Sequence, residues 1–182
     1  MEALMFVNKI KIIAFLILII PFSGCAIDEN KYQYLEPEFE LFEFFSGEVK
    51  AWGIVQDYSG DLVQRFTVDM EGVLEDGVLT LNEIFSYDLG DGVEQRTWIL
   101  EPSAKKSFVG RASDIEGFAE GNSYGNAFNF KYEMNIQISG DDYRVHFDDW
   151  FWAFDKKTIV NRSYIKKFGF TIAEVTIFMQ KP

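Results

Sequence analysis

The alternation of apolar and polar positions predicts an all-β domain that begins near Glu48 and continues to the end of the chain. Runs with a period of two alternate with clusters of Gly, Asp and Ser, which are typical of turns. The predicted strands cover residues 48–58, 62–71, 78–88, 92–101, 106–115, 126–138, 143–154, 158–167 and 170–180. Short connections between consecutive strands favour antiparallel neighbours. The pattern therefore predicts an up-and-down antiparallel β-barrel of eight or nine strands, and a two-sheet sandwich is the alternative.

Two further segments depart from this pattern. A short helix is predicted between Pro37 and Ser46, because Pro suits a first helical turn and Phe39, Phe42 and Phe45 would give the helix an apolar face. The glycine-rich segment 117–125 does not follow a strand and open a helix, so it is not a phosphate-binding loop. We expect it to form a wide bend at the barrel rim or a flap over the mouth.

The first 24 residues have the pattern of a secretion signal. Lys9 and Lys11 lie just before an unbroken apolar run over residues 12–20. This run is shorter than the roughly 20 residues that a stable membrane span needs. An ordinary cleaved signal and an N-terminal membrane anchor remain as alternatives to a lipoprotein signal.

The end of this segment, Phe22-Ser23-Gly24-Cys25, resembles the lipobox of bacterial lipoproteins. The resemblance implies that the signal is cleaved before Cys25 and that the thiol and the new amine are acylated. Ala26 in the next position then implies export to the outer membrane. The predicted organisation is a lipoprotein signal peptide over residues 1–24, a lipidated Cys and polar spacer over 25–37, and a barrel domain over 38–182.

The amino-acid composition excludes some classes of binding partner and of fold. The chain has 29 acidic and 17 basic residues, a net charge of −12, so its surface repels nucleic acid. The same charge opposes binding to anionic lipid headgroups, and membrane attachment would therefore depend on the N-terminal lipid anchor. A single Cys excludes a disulfide scaffold, and 48% hydrophobic residues exclude disorder over most of the chain.

Candidate chemistry begins with a charged pair on an apolar strand face. Glu83 shares its face with Leu81 and other apolar residues of the predicted strand 78–88. A tight turn at Leu89-Gly90 would place Glu83 opposite Arg96 and Leu81 opposite Trp98, whereas a four-residue turn would place Glu83 opposite Trp98. In either register an acid, a guanidinium and an indole meet on an inward face. They could hold a ligand headgroup, or they could form a structural ion pair.

The strand 143–154 carries aromatic residues on both faces, so alternation does not decide which face is interior. We expect this strand to be covered on both sides, with the N-terminal helix on one of them. His146 and Trp150 on this strand, with Arg162 on the next, complete the candidate ligand-binding set. The neighbours Asp148-Asp149 face opposite ways on a strand and do not form a metal site. No metal or other cofactor is predicted.

Several short motifs of the mature chain are similar to those of proteobacterial lipoproteins that are grouped only as a domain of unknown function. The motifs are Phe45-Ser46-Gly47, Leu81-Asn82-Glu83-Ile84-Phe85, Arg96-Thr97-Trp98, Gly110-Arg111-Ala112-Ser113-Asp114, Gly125-Asn126-Ala127, Asp148-Asp149-Trp150, Asn161-Arg162 and Lys167-Phe168-Gly169. The resemblance covers residues 38–181 and implies a lipocalin-like barrel in the cell envelope. Members are often encoded beside lipid-modifying enzymes, which favours a lipid-related role. The family supplies no catalytic residues.

The sequence supports three hypotheses about function. The first is an outer-membrane-anchored, periplasm-facing lipoprotein that binds or carries a lipid or another apolar small molecule. The second is a non-enzymatic interaction protein with a filled barrel that supports an envelope assembly through a protein partner. The third is an enzyme on lipid-like substrates that uses Glu83, or His146 with Asp148, as acid and base.

Overall fold

The computed structural model describes residues 27–89, 92–138 and 140–182, apart from the side chain of Ile138. The predicted signal peptide and Cys25 lie outside the described residues. A 3-10 helix (Glu29–Lys31) and helix α1 (Leu41–Phe45) come before the strands. The strands are β1 (Gly47–Asp57), β2 (Leu62–Glu75), β3 (Val78–Tyr87), β4 (Gln95–Ala104), β5 (Ser107–Arg111), β6 (Ile115–Tyr124), β7 (Ala127–Ile138), β8 (Asp141–Ala153), β9 (Thr158–Lys167) and β10 (Phe170–Gln180).

The strands form a closed up-and-down barrel. Each strand pairs antiparallel with its neighbours in sequence, and β1 pairs with β10 to close the ring. This confirms the predicted all-β antiparallel barrel and excludes the two-sheet sandwich. Closure leaves no unpaired edge strand, which is how barrels avoid edge-to-edge association.

The described barrel has ten strands, so the predicted count of eight or nine is wrong. The predicted strand 106–115 is divided between β5 and β6, and the glycine-rich segment 117–125 lies mostly in β6 rather than in a rim bend or flap. Packing explains Gly121 of this segment and Gly110 of β5. A Cβ at Gly110 would lie 2.5 Å from the Phe130 ring, and one at Gly121 would lie 2.5 Å from the Phe128 ring. These glycines make room for aromatic rings inside the barrel.

The predicted helix over 37–46 is shorter in the structure. Only residues 41–45 are helical, and the segment before them is docked onto the barrel. The backbone N–H of Phe39 donates to the carbonyl oxygen of Gly125 at 2.7 Å, and Lys106 forms an ion pair with Glu38. No helix in the described ranges is long and apolar enough to cross a membrane.

Helix α1 closes one end of the barrel. Its residues Leu41, Phe44 and Phe45 are buried. The Phe45 ring packs edge-on against Phe151 at 6.3 Å between centroids. The last carbonyl oxygens of a helix lack partners within the helix. Here the Lys181 ammonium donates to three of them, in residues 43, 44 and 46, at 3.0, 3.0 and 2.6 Å.

Candidate functional site

The barrel encloses a cavity of about 290 Å³. Near α1 its wall is apolar, with Leu41, Phe45, Met70, Leu100, Phe128 and Met179 among the residues that line it. At the opposite end the inward residues of β1, β2, β3 and β10 are only partly buried. The volume is close to the lower limit for small-molecule pockets, about 300–1,000 Å³. The interior can therefore hold one compact ligand.

Strand register brings Glu83, Arg96 and Trp98 together on this wall. Glu83 of β3 lies opposite Arg96 of β4, and Leu81 lies opposite Trp98. These pairs are the ones expected for a tight turn after β3. All three predicted residues line the cavity. The Arg96 guanidinium carbon lies 5.7 Å from the centroid of the Trp98 ring and 5.9 Å from that of Phe85.

The direct partner of Arg96 is Asp114 rather than Glu83. Asp114 lies in the turn between β5 and β6, and its Oδ2 accepts from Arg96 Nε at 2.9 Å and from Nη2 at 2.7 Å. The side chains are 13% and 24% exposed, so solvent screens this pair only partly. Burial alone would lower the pKa of Arg96, but the acidic groups around it, Tyr132 and Glu83 foremost, raise that pKa above its ordinary value.

Glu83 is an acid without a hydrogen-bond partner for one of its oxygens. The side chain keeps partial accessibility because it lines the cavity, but protein surrounds it. Burial raises the pKa of Glu83 to about 7, against the attraction of Arg96, which lowers it. Oε2 is buried and has no partner within the protein. Near neutral pH the carboxyl is therefore partly protonated and is open to a bound group.

Asp149 of β8 is a second acid of the same kind. It is 7% exposed and lines the cavity, and its Oδ1 is buried without a hydrogen-bond partner in the protein. Burial raises the pKa of Asp149 to about 7, although Ser163, Arg96 and Tyr132 each act to lower it. The Ser163 hydroxyl also lies 3.2 Å from Asn161 Oδ1.

Asp148 confirms that the two neighbouring acids face opposite ways. It lies on the outer face, where its carboxylate accepts from Asn129 Nδ2 at 2.9 Å and from Lys166 Nζ at 2.5 Å. Burial raises the pKa of Asp148, but these hydrogen bonds outweigh it and leave the pKa below its usual value. In the described part of the chain, no cluster of three His, Cys, Asp or Glu side chains could hold a metal ion.

The structure does not bring the other predicted residues to the cavity. His146 faces outward with its side chain 58% exposed, and its Nδ1 lies 3.1 Å from Glu133 Oε1. Arg162 is also on the outside, 45% exposed, with its Nε 3.7 Å from Glu174 Oε2. Alternation on β8 and β9 places both side chains on the face opposite to the lining residues.

Trp150 is buried but lies outside the barrel. It is 4% exposed because Tyr32 of the N-terminal segment covers it, with 5.8 Å between ring centroids. The outer face of β8 is thus covered around Trp150 but not at His146, so the predicted cover on both sides holds for only part of the strand, and Tyr32 rather than the predicted helix provides it. The cover on the outer face includes the ring of Tyr32, which precedes α1, and α1 itself lies at the end of the barrel.

Sequence reasoning missed Asp114, Tyr132, Asp149 and Ser163 as members of this site. A signal existed for Asp149, which interrupts an apolar row on β8 as Glu83 does on β3. Asn161 and Ser163 together interrupt a similar row between Ile159 and Ile165. Asp114 gave no such signal, because it lies in a turn that the pattern did not reveal.

The wall between the cavity and the outside is thin at one point. Tyr132 and Phe147 stack at 4.9 Å between ring centroids, and both line the cavity and also an outer groove of about 580 Å³. The register of β6 against β7 shifts between Glu116 and Glu120 beside this groove. These two rings therefore separate the interior from the surface.

Fold and cavity together define the class: a closed, lipocalin-like antiparallel β-barrel with a lined interior. The chain belongs to the family described as "Protein of unknown function (DUF3833)", whose profile matches residues 19–181. This confirms the predicted membership of an uncharacterised family. No curated protein matches the chain.

A solved structure shares the fold. The S-type phycobiliprotein lyase CPES from Guillardia theta is similar with a TM-score of 0.54 and 10% sequence identity. The match covers 78% of this chain and 90% of the lyase chain. At this identity the similarity concerns the barrel alone.

Proposed function

We propose that this protein binds one small apolar or amphipathic molecule inside its barrel, as a lipoprotein anchored in the outer membrane and facing the periplasm. The observation that carries the proposal is the cavity of about 290 Å³, whose wall is mostly apolar and holds two carboxyl groups that each have one oxygen without a partner in the protein. The apolar end near α1 suits a hydrocarbon body, and the polar groups suit one polar end.

The cavity favours binding over a filled barrel. A barrel that served only as a scaffold for a partner would fill its centre with side chains, because unfilled volume costs stability. Buried acceptors without partners would add a further cost. A ligand that occupies the space and donates hydrogen bonds would remove both costs.

The envelope location is supported by sequence alone. The apolar run, the lipobox-like Phe22-Ser23-Gly24-Cys25 and the acidic body suit a protein held by a lipid anchor rather than by surface charge.

Binding can be measured with N-phenyl-1-naphthylamine, an uncharged apolar probe that fluoresces in dry sites. We expect saturable binding with one site per protein. Val175→Phe places a ring in the cavity that Val175 lines, and it should weaken binding at least about tenfold. Val73→Phe makes the same change at a position that is 43% exposed on the outer face, and it should leave binding unchanged.

Native mass spectrometry of the gently purified protein gives an independent readout. A bound small molecule should be present in the wild type and depleted in the Val175→Phe variant. Equal probe binding by both variants, or no saturable binding by the wild type, would refute the proposal.

A further inference from the structure

Two carboxyl oxygens in the cavity wall have no hydrogen-bond donor in the protein. Glu83 Oε2 and Asp149 Oδ1 are buried without partners in the protein, on walls formed by β3 and β8. Both residues line the cavity. A buried acceptor without a donor costs about 1–3 kcal/mol, and more when it is charged. A molecule that enters this space is favoured if its polar end can donate to one or both oxygens.

Arg96 does not make the cavity favourable for an anionic ligand. It is the one basic side chain among the described residues that line the cavity, and it already donates twice to Asp114. An anionic headgroup would have to compete with Asp114 for the guanidinium. It would also meet Glu83 and Asp149 in a region from which water is largely excluded, where like charges repel strongly.

The neutral side chains near Asp149 do not supply a donor to its unpartnered oxygen. Ser163 and Tyr132 act through side-chain hydrogen bonds to lower the pKa of Asp149, and the Asn161 amide donates to the carbonyl oxygen of Trp150 at 3.2 Å. Asp149 Oδ1 and Glu83 Oε2 still have no partner in the protein. Donors for these two oxygens must come from the ligand or from water.

We propose that the barrel selects a ligand whose polar end is a hydrogen-bond donor, either a hydroxyl, an amide N–H or an ammonium, and that it discriminates against ligands with an anionic end. The inference rests on the proposed function and specifies its ligand class. Fatty acids and other carboxylates, the usual expectation for an apolar barrel that contains an arginine, are the compounds that this cavity disfavours.

The test compares three compounds that share one hydrocarbon chain: decan-1-ol, decylamine and sodium decanoate. Each is added at pH 8, below micelle formation, to displace N-phenyl-1-naphthylamine from the wild-type protein. We expect decylamine, as its ammonium ion, to bind most tightly and decanol to bind detectably. Decanoate should bind about tenfold or more weakly than decylamine.

Two variants test whether Glu83 and Asp149 cause the preference for the amine. The double variant Glu83→Gln, Asp149→Asn removes both acids but keeps their size, and it should abolish the preference for the amine and improve decanoate binding. Glu71→Gln removes an exposed carboxylate from the outer face of β2 and should leave the order of affinities unchanged.

The outcomes separate the inference from the proposed function. If the probe binds and decanoate displaces it as well as decylamine does, the donor-selective cavity is wrong while ligand binding stands. The same conclusion follows if the double variant keeps the wild-type order. If neither the probe nor any of the three compounds binds, the proposed function fails and the inference fails with it.

Discussion

Glu83→Gln should stabilise the protein, and the gain should grow with pH. A pKa that rises from 4.5 to about 7 on folding means that ionisation of Glu83 opposes the folded state. Below pH 4.5 the carboxyl is neutral in both states and costs nothing. Between pH 4.5 and about 7 the unfolded chain is ionised while the folded chain keeps its proton, so stability falls over this range and the loss is complete above pH 7.

The magnitude follows from the same shift. At 1.36 kcal/mol per pKa unit, the full cost above pH 7 is roughly 3 kcal/mol, and at pH 5 only about 1 kcal/mol has developed. Gln keeps the shape of the protonated acid and cannot ionise. The free energy of unfolding of the variant should therefore exceed that of the wild type by about 2 kcal/mol more at pH 8 than at pH 5. For a domain of this size that is a difference of roughly 4–8 °C in Tm.

Urea unfolding at pH 5 and pH 8, followed by tryptophan fluorescence, measures this difference. Equal slopes against urea for both proteins would show that the unfolded states are comparable. The wild type also carries a net charge of −12, whose self-repulsion increases with pH, so only the difference between variant and wild type is diagnostic. Glu71→Gln removes one exposed negative charge and controls for that general effect.

Two results would refute this reasoning. A gain of equal size at both pH values would mean that ionisation of Glu83 is not what the substitution removes. A variant less stable than the wild type at pH 8 would mean that the attraction of Arg96 exceeds the cost of burial and that the carboxylate stabilises the fold.

Two further predictions concern the route by which a ligand enters the cavity and the attachment of the protein to the membrane. Phe147→Leu removes one of the two stacked rings between the cavity and the outer groove, so N-phenyl-1-naphthylamine should associate several times faster in stopped-flow fluorescence. Phe151→Leu makes the same change near α1, away from the groove, and should leave the rate unchanged; equal rates in both variants would show that the ligand enters elsewhere. Cys25→Ser should abolish incorporation of labelled palmitate and release the protein from membranes, and labelling that persists would contradict the lipid anchor.

The inward faces of β3 and β4 could be predicted from the sequence, but their register could not. Alternation fixes which face of each strand is inward, whereas the connection over residues 88–94 decides which residues are opposite each other. A slip of one residue would turn Leu81 and Glu83 outward together. The structure selects the register that places Glu83 opposite Arg96.

The ion-pair partner of Arg96 could not be predicted from the sequence pattern. Asp114 reaches it from a turn between two strands that the pattern merged into one. Gly117 and Gly121 lower the β-propensity of β6. Gly121 makes room for the rings of Phe128 and Phe130 of the next strand, and Gly117 has a positive φ of 71°. On β8 both faces carry aromatic residues, and Tyr32 covers Trp150 on the outer one, so alternation alone did not decide that the face with Asp149 is interior.

Glu83 and Asp149, each with one oxygen that has no partner in the protein, are difficult to explain as parts of a stabilising core. Each interrupts an apolar row, between Leu81 and Phe85 on β3 and between Phe147 and Phe151 on β8. Arg96 attracts both carboxylates, but a single carboxylate is enough to neutralise one arginine, and Asp114 already forms that ion pair. A structural ion pair would be complete without Glu83 and Asp149, and leucine or glutamine there would cost less. Departures from local stability of this kind concentrate at functional sites, which is why we assign the excess acceptors to a ligand rather than to the fold.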